Sequence, residues 1–356
     1  FFTASVYSGK TPSVRLGARL VSLPGQKESA AQIMTEILTE TVFEDKKALK
    51  DLMDQQLMRL QMEFAGAGHR YARSRALAMV TGDGAAREAL SGSTYIRYVK
   101  QLCAADDAGL DALLVRLQKI ASKAFTRSRM VISVSENGAE LAERIPEAFP
   151  QGSAALRVDY APMDRAQVGL PIPAAIGFAA KASNMARHGG SYHGSLFVLE
   201  NILNFSYLWN EIRVQGGAYG CGFTASADGD ICFHTYRDPQ PGRSLDIFDR
   251  AAEFIRGYCA NDPDLTPMIL GAMASADPLL NTQMKISLAE GRYFKGTTYE
   301  EVCRTRRELI GTTKEDLLAL TEVLEVLARE DAVCVVAGQP LLDACGEKLS
   351  LQQQIL

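Results

Sequence analysis

Residues 196–213 constrain the fold more than any other part of this sequence. At 3.6 residues per turn the run is apolar on nearly every side, so the spacing predicts a helix buried deep among other elements. Gly216, Gly217, Gly220 and Gly222 end it. Two β-rich runs follow, around Asp228-Gly229-Asp230, a strong short-range hairpin signal. A helix that needs cover on all sides, feeding directly into a hairpin, requires a layered α+β core. The 356 residues are enough for two domains of ordinary size.

The rest of the chain supplies the other layers. Residues 3–22 alternate loosely and predict one or two strands. A helical period begins at Ser29, and Leu49, Leu52, Met53, Leu57, Leu60 and Phe64 form one apolar stripe until Gly66 and Gly68 interrupt it. Helices are expected over 70–80, 93–104, 109–125 and 138–148, a turn at Gly82 and Gly84, and a short strand over 130–134. Residues 149–153, Phe-Pro-Gln-Gly-Ser, predict a boundary between domains 1–152 and 153–356. Beyond it, 172–180 reads as a strand, with helices near 242–258, 264–274, 280–291 and 299–309. Thr312-Thr313-Lys314-Glu315 opens the last long helix as a capping box, and 333–336 is the closing strand. Residues 117–149 and 317–349 share one order of elements: long helix, turn, Val-rich strand, polar turn, short helix. That echo points to two related domains.

Composition removes several function classes. Lys and Arg total 38 against 42 Asp and Glu, so no basic field exists to draw in a nucleic-acid backbone. The longest charge-free apolar-rich run, 168–180, contains Pro171 and Pro173 and falls short of the ~20 residues a bilayer helix needs. No nucleic acid and no membrane are therefore expected as partners. The 7 cysteines are dispersed without a CxxC pair, which fits reduced thiols. That predicts a cytoplasmic setting, with an organelle matrix as the alternative. The chain opens on Phe1-Phe2-Thr3 within strand-like sequence, so we expect a piece of a longer polypeptide.

The familiar catalytic signatures are absent. Neither HExxH nor HxxEH occurs, and His188 and His193 would project about 140° apart on a helix with no carboxylate between them. Gly190-Ser191-Tyr192-His193-Gly194 lacks the strand-then-helix setting of a nucleophile elbow. Cys221 has no evident base. The cluster Gly216-Gly217-Ala218-Tyr219-Gly220-Cys221-Gly222 follows a helix and opens a strand, the reverse of a dinucleotide loop, and sits at the electronegative helix end.

The stretch Tyr207-Leu208-Trp209-Asn210-Glu211-Ile212-Arg213-Val214-Gln215-Gly216-Gly217-Ala218-Tyr219-Gly220 stands apart. The helix delivers Arg213 in its last turn, the glycines let the backbone reverse, and the strand then presents Tyr219. Two readings are open: both side chains project into one cleft, or Arg213 complements the helix C-terminus while Tyr219 packs in a core.

This stretch resembles the carboxyl-terminal half of a pitrilysin/insulinase-type zinc metallopeptidase, in its presequence-protease branch. So does Tyr236-Arg237-Asp238-Pro239, and residues 68–76 and 304–310 are similar in character. The resemblance implies a half-clamshell of two similar domains, each a mainly antiparallel sheet with helices on one face, the first truncated at its start. These would be the third (1–152) and fourth (153–356) peptidase domains. It further implies that zinc is bound by the missing amino-terminal half and none by this chain. Tyr219 would be the catalytic oxyanion donor, and Arg213, Gly216 and Gly217 the substrate-binding set. The implied partners are the amino-terminal half and an unfolded peptide, with a homodimer through the uncovered face. The implied reaction is peptide hydrolysis by the full-length protein, the fragment alone being inactive. A non-catalytic structural or regulatory homologue is the alternative, and an unrelated thiol enzyme a third. The local turn reading of 236–239 with an Arg–Asp pair stands beside a chamber-lining one. His69, Arg70 and Arg73 likewise face either solvent or a partner.

Overall fold

The computed structural model describes residues 2–8, 13–135, 138–152 and 159–356. Ser153 of the predicted boundary, and Glu136-Asn137 of the first polar turn, lie outside these. The chain divides into two compact units that interleave along the sequence. One comprises Phe1–Met58, Tyr98–Asp159 and Leu280–Gly296, the other Arg59–Arg97, Tyr160–Leu279 and Thr297–Leu356.

In the first unit, β1 (Phe2–Tyr7) and β2 (Ser13–Ala18) pair antiparallel with Val6 opposite Val14. The Tyr7 ring lies 4.6 Å from Phe294, and the Arg15 guanidinium 4.8 Å from that ring, which ties the hairpin to the helix Thr282–Lys295. Around it stand the helices Lys27–Glu40, Asp107–Ala124 and Ala139–Arg144. Glu28 pairs with Arg144 at 2.8 Å on the surface. Such exposed pairs contribute little, so the unit rests on a thin core that includes Leu110, Leu114, Leu141 and Phe149.

The second unit is built on six strands: β3 (Gln167–Pro171), β4 (Gly177–Asn184), β5 (Gly220–Ala225), β6 (Asp230–Tyr236), β7 (Val333–Ala337) and β8 (Leu351–Gln352). Their spatial order is β5-β6-β4-β7-β3-β8. β3 runs parallel to β7 and β8, and the other pairs are antiparallel. This is the expected mixed α+β class with an antiparallel-rich sheet. β4 is buried at every position because both sheet faces are covered. Ala179 faces a large core with Leu199, Phe223, Phe233, Phe248, Ile255 and Leu324. Phe178, one residue earlier, points to the other face. There the helix Gly68–Ala78 lies on β4, β6 and β7. Gly68, Ala72 and Ala76 repeat every fourth residue and let this helix approach closely. A Cβ on Gly68 would stand 2.3 Å from the Phe178 ring.

Several expectations need correction. Gly82 and Gly84 begin a helix, Gly82–Ser91, rather than a turn. Thr81 caps it by accepting from the Gly84 amide at 3.1 Å. The two glycines serve close approach, since a Cβ would lie 2.0 Å from Tyr160 O at Gly82 and 2.2 Å from Leu77 O at Gly84. The strand read over 172–180 is two strands, broken after Pro171, because Pro171 and Pro173 have no N–H for a ladder. Residues 130–134 form no strand: no described strand pairs with them, and Val131 stays exposed. The first copy of the repeated ending therefore lacks its strand. The capping box is shifted by one residue, to Thr313 with Asp316, and Thr312 is buried instead. The helix it opens is two, Lys314–Ala319 and Thr321–Ala328.

Candidate functional site

The helix that delivers Arg213 is not α-helical to its end. Ser195–Ile202 is an α-helix, and Leu203–Val214 continues as a π-helix, a winding frequent at functional sites. Leu203, Tyr207, Leu208 and Ile212 are buried, whereas Phe205, Trp209 and Val214 are exposed. The expectation of burial on all sides thus fails on one face. Tyr207 anchors the buried face: its hydroxyl donates to Ile247 O at 2.7 Å, and its ring stacks on Phe254. Asn204 fastens the segment to β5. Its Oδ1 accepts from Phe223 N at 2.6 Å and its Nδ2 donates to Phe223 O at 3.1 Å. One side-chain amide thus satisfies the backbone of an edge strand. Sequence reading missed Asn204 because an Asn inside an apolar helical run carries no pattern of its own.

The glycine junction is tight for two distinct reasons. Gly217 has φ 78°, which a residue with a Cβ adopts only at a cost of about 1 kcal/mol. At Gly216 a Cβ would meet Ile212 O at 2.5 Å and Arg243 Nη1 at 2.9 Å. The last helical carbonyls are taken up locally, Arg213 O by Gly217 N at 3.0 Å and Ile212 O by Ala218 N at 3.1 Å. The cation at this helix end is Arg243, which donates to Glu211 O at 2.7 Å and pairs with the Glu211 carboxylate at 3.6 Å.

Arg213 is thereby left for another contact. Its guanidinium carbon stands 4.1 Å from the Trp209 ring centroid and 5.6 Å from that of Tyr219. Tyr219 is 67% exposed, so it does not pack in a core. The structure brings together all four sequence-predicted site residues: Arg213 and Tyr219 side by side, Gly216 and Gly217 between them in the chain. The row continues past them. Tyr236 meets Tyr219 edge-on at 5.9 Å and His69 at 4.8 Å. Tyr219 N donates to Arg237 O at 3.2 Å, which fixes the start of β5 against the end of β6.

Titration behaviour around this row follows burial. Burial first, then Arg73 and Arg70, lowers the His69 pKa. Burial, then Arg73 and His69, pushes His234 down to about 3. Both imidazoles are neutral at physiological pH. Burial, with Asp238 adding, pushes the Cys221 thiol up to about 11, so it is no thiolate nucleophile at neutral pH. All 7 cysteines are free. Asp238 is buried, accepting from Ser244 Oγ at 2.7 Å and Gln240 N at 2.8 Å. The local Arg–Asp pair expected at 237–238 is therefore replaced: Asp238 turns inward, and Arg237 lies over the Tyr236 ring at 5.6 Å.

The other singled-out residues have separate tasks. Arg70 pairs with Glu63 at 2.6 Å on the surface, and Arg73 reaches Thr224 Oγ1 at 3.1 Å. Only Arg70 fits a fully solvated face. His188 shares the buried Glu330 with Arg165, and His193 meets Ser195 Oγ at 3.0 Å. Arg304 pairs with Glu308 and Arg306 with Asp277. Among the described residues, no three His, Cys, Asp or Glu side chains come together as a metal ion would require, and no helix is long and apolar enough to cross a membrane.

Comparison with known proteins places this geometry in a family. The family model described as PreP C-terminal domain matches residues 168–339. A second model, for the region associated with peptidases of family M16, subfamily C, matches residues 2–102. Presequence protease 1, chloroplastic/mitochondrial, of Arabidopsis thaliana is 26% identical over 360 residues, covering 98% of this chain and 33% of its own length. Protein HypA of Clostridium perfringens is 26% identical, covering 89% of this chain and 33% of its own. The chain thus spans about a third of the length of these relatives. Among solved structures, a peptidase M16 inactive domain from Pseudomonas fluorescens has TM-score 0.62 at 18% identity, covering 94% of this chain and 80% of that one. Pitrilysin has TM-score 0.58 at 12% identity, covering 99% of this chain and 38% of that one. The two structures share its fold.

Proposed function

Because the chain belongs to the presequence-protease branch of the pitrilysin-type peptidases, as a carboxyl-terminal half, we propose that it is the substrate-binding half of a metalloendopeptidase acting on unfolded peptides. The observation that carries this reading is the exposed pair Arg213 and Tyr219, held 5.6 Å apart at a glycine-locked junction. A guanidinium offers a planar fork of donors, suited to a carbonyl or carboxylate of the substrate. A phenol beside it donates a hydrogen bond to the oxygen that gains charge as a peptide carbonyl is attacked. Gly216 and Gly217 keep the two at one spacing.

Nothing among the described residues fits a metal ion. The zinc of the peptidases this chain resembles would be held by residues outside it. Residues 1–152 and 153–356 serve in this reading as the third and fourth peptidase domains. The partner is an amino-terminal half of the same polypeptide. Exposed Ile33, Ile37, Leu52, Val115 and Ile120 of the first unit support a covered face of this kind. In isolation the same side chains favour self-association. The Arabidopsis and Aspergillus relatives carry mitochondrial or chloroplastic names, which supports an organelle matrix as the compartment.

The reading is tested on the chain alone. Purified, with zinc supplied, it should not hydrolyse an unfolded fluorogenic peptide. Turnover that a chelator abolishes would overturn the division of labour proposed here.

A further inference from the structure

Arg237 holds φ 50° at the end of β6. This left-handed conformation disfavours a side chain, and glycine would take it without strain. The backbone around it leaves no choice. Arg237 O accepts from Tyr219 N at 3.2 Å, while the next residue, Asp238, exchanges two 2.8 Å hydrogen bonds with Gly177. An arginine thus occupies a position whose geometry suits glycine, with its side chain exposed. Asp238 is spent on Ser244 and Gln240, and no carboxylate of the described residues pairs with Arg237. Its guanidinium lies 5.6 Å from the Tyr236 ring, just as Arg213 lies over Tyr219, and the two phenols meet at 5.9 Å. The row is rich in donors: two guanidinium groups, two phenols and the Trp209 indole. Its chemical complement is an anion.

We propose that Arg237 is a further substrate-binding residue, extending the Arg213–Tyr219 row to grip a carboxylate of the bound peptide. The inference rests on the reading of this row as a peptide-binding surface. The carboxylate is either the peptide's C-terminus or an acidic side chain.

Binding to the chain is measured by fluorescence anisotropy with a labelled unfolded peptide in three forms: one free C-terminal acid as its sole carboxylate, one internal Glu with an amidated end, and one with neither. Arg237→Gly should weaken binding at least about fivefold for one of the first two forms and leave the third unchanged, while the melting temperature holds or rises. The form affected identifies the source of the carboxylate. Unchanged binding of all three forms, or an equal loss for all three, overturns the proposal. Arg213→Ala separates the two claims. If it weakens binding and Arg237→Gly does not, only the present inference fails; if neither does, or the wild-type chain binds no form, the peptide-binding reading of the row fails with it.

Discussion

Tyr219→Phe, introduced into the full-length polypeptide, should cut peptide turnover at least about tenfold and leave its metal content unchanged. The substitution removes one hydroxyl and keeps the ring, so the edge-on contact with Tyr236 at 5.9 Å survives. What is lost is a donor to the developing oxyanion, worth about 3 kcal/mol by analogy with other such donors. Arg213→Ala should have an effect of similar size, again without loss of metal. It removes a charge that is exposed and stacked rather than one neutralised at a helix end, since Arg243 performs that task. Arg213→Lys should not restore the wild-type rate, because an ammonium cannot reproduce the planar fork. Steady-state kinetics with a fluorogenic peptide, together with metal analysis, decide the matter. Wild-type kinetics in either Tyr219→Phe or Arg213→Ala would refute the role assigned to that residue.

Phe178→Ala should lower stability by about 3–5 kcal/mol. Phe178 is fully buried on β4, with its ring under Gly68 on one side and near His69 and Tyr236 on the other. The helix that covers it offers Gly68, Ala72 and Ala76 toward the sheet, side chains too small to fill the space a phenyl ring leaves. The vacancy would also loosen Tyr236, whose ring is in the same row as Tyr219. A loss of peptide affinity should accompany the loss of stability. Urea denaturation measures the first effect; a midpoint shift equivalent to less than about 1 kcal/mol would contradict this account of the sheet's covered face.

The site was more legible in the sequence than the elements around it. Arg213, two glycines and Tyr219 occupy one short stretch, and the hairpin at Asp228-Gly229-Asp230 announces itself by turn chemistry alone. Local rules suffice where neighbours along the chain are neighbours in space. They failed where distant backbone decides. Gly82 and Gly84 look like turn residues until Tyr160 O and Leu77 O are seen to exclude a Cβ there. Residues 130–134 have strand-like side chains and no strand to pair with among the described residues. Arg243 was invisible as the cation of the π-helix end because it lies 32 residues from Glu211. The exposed face with Phe205, Trp209 and Val214 was hidden by the same apolar composition that marks a buried helix. The strain at Arg237 is a property of φ and has no signature in residue type.

The central claim is that this chain binds peptide and leaves water activation to another part of the polypeptide. It is tested most directly by mixing the purified chain with a separately produced amino-terminal half and following hydrolysis of an unfolded peptide. We expect no turnover by the chain alone, chelator-sensitive turnover by the mixture, and loss of that turnover when the chain carries Arg213→Ala. Chelator-sensitive hydrolysis by the chain alone, or a mixture indifferent to Arg213→Ala, would contradict the claim.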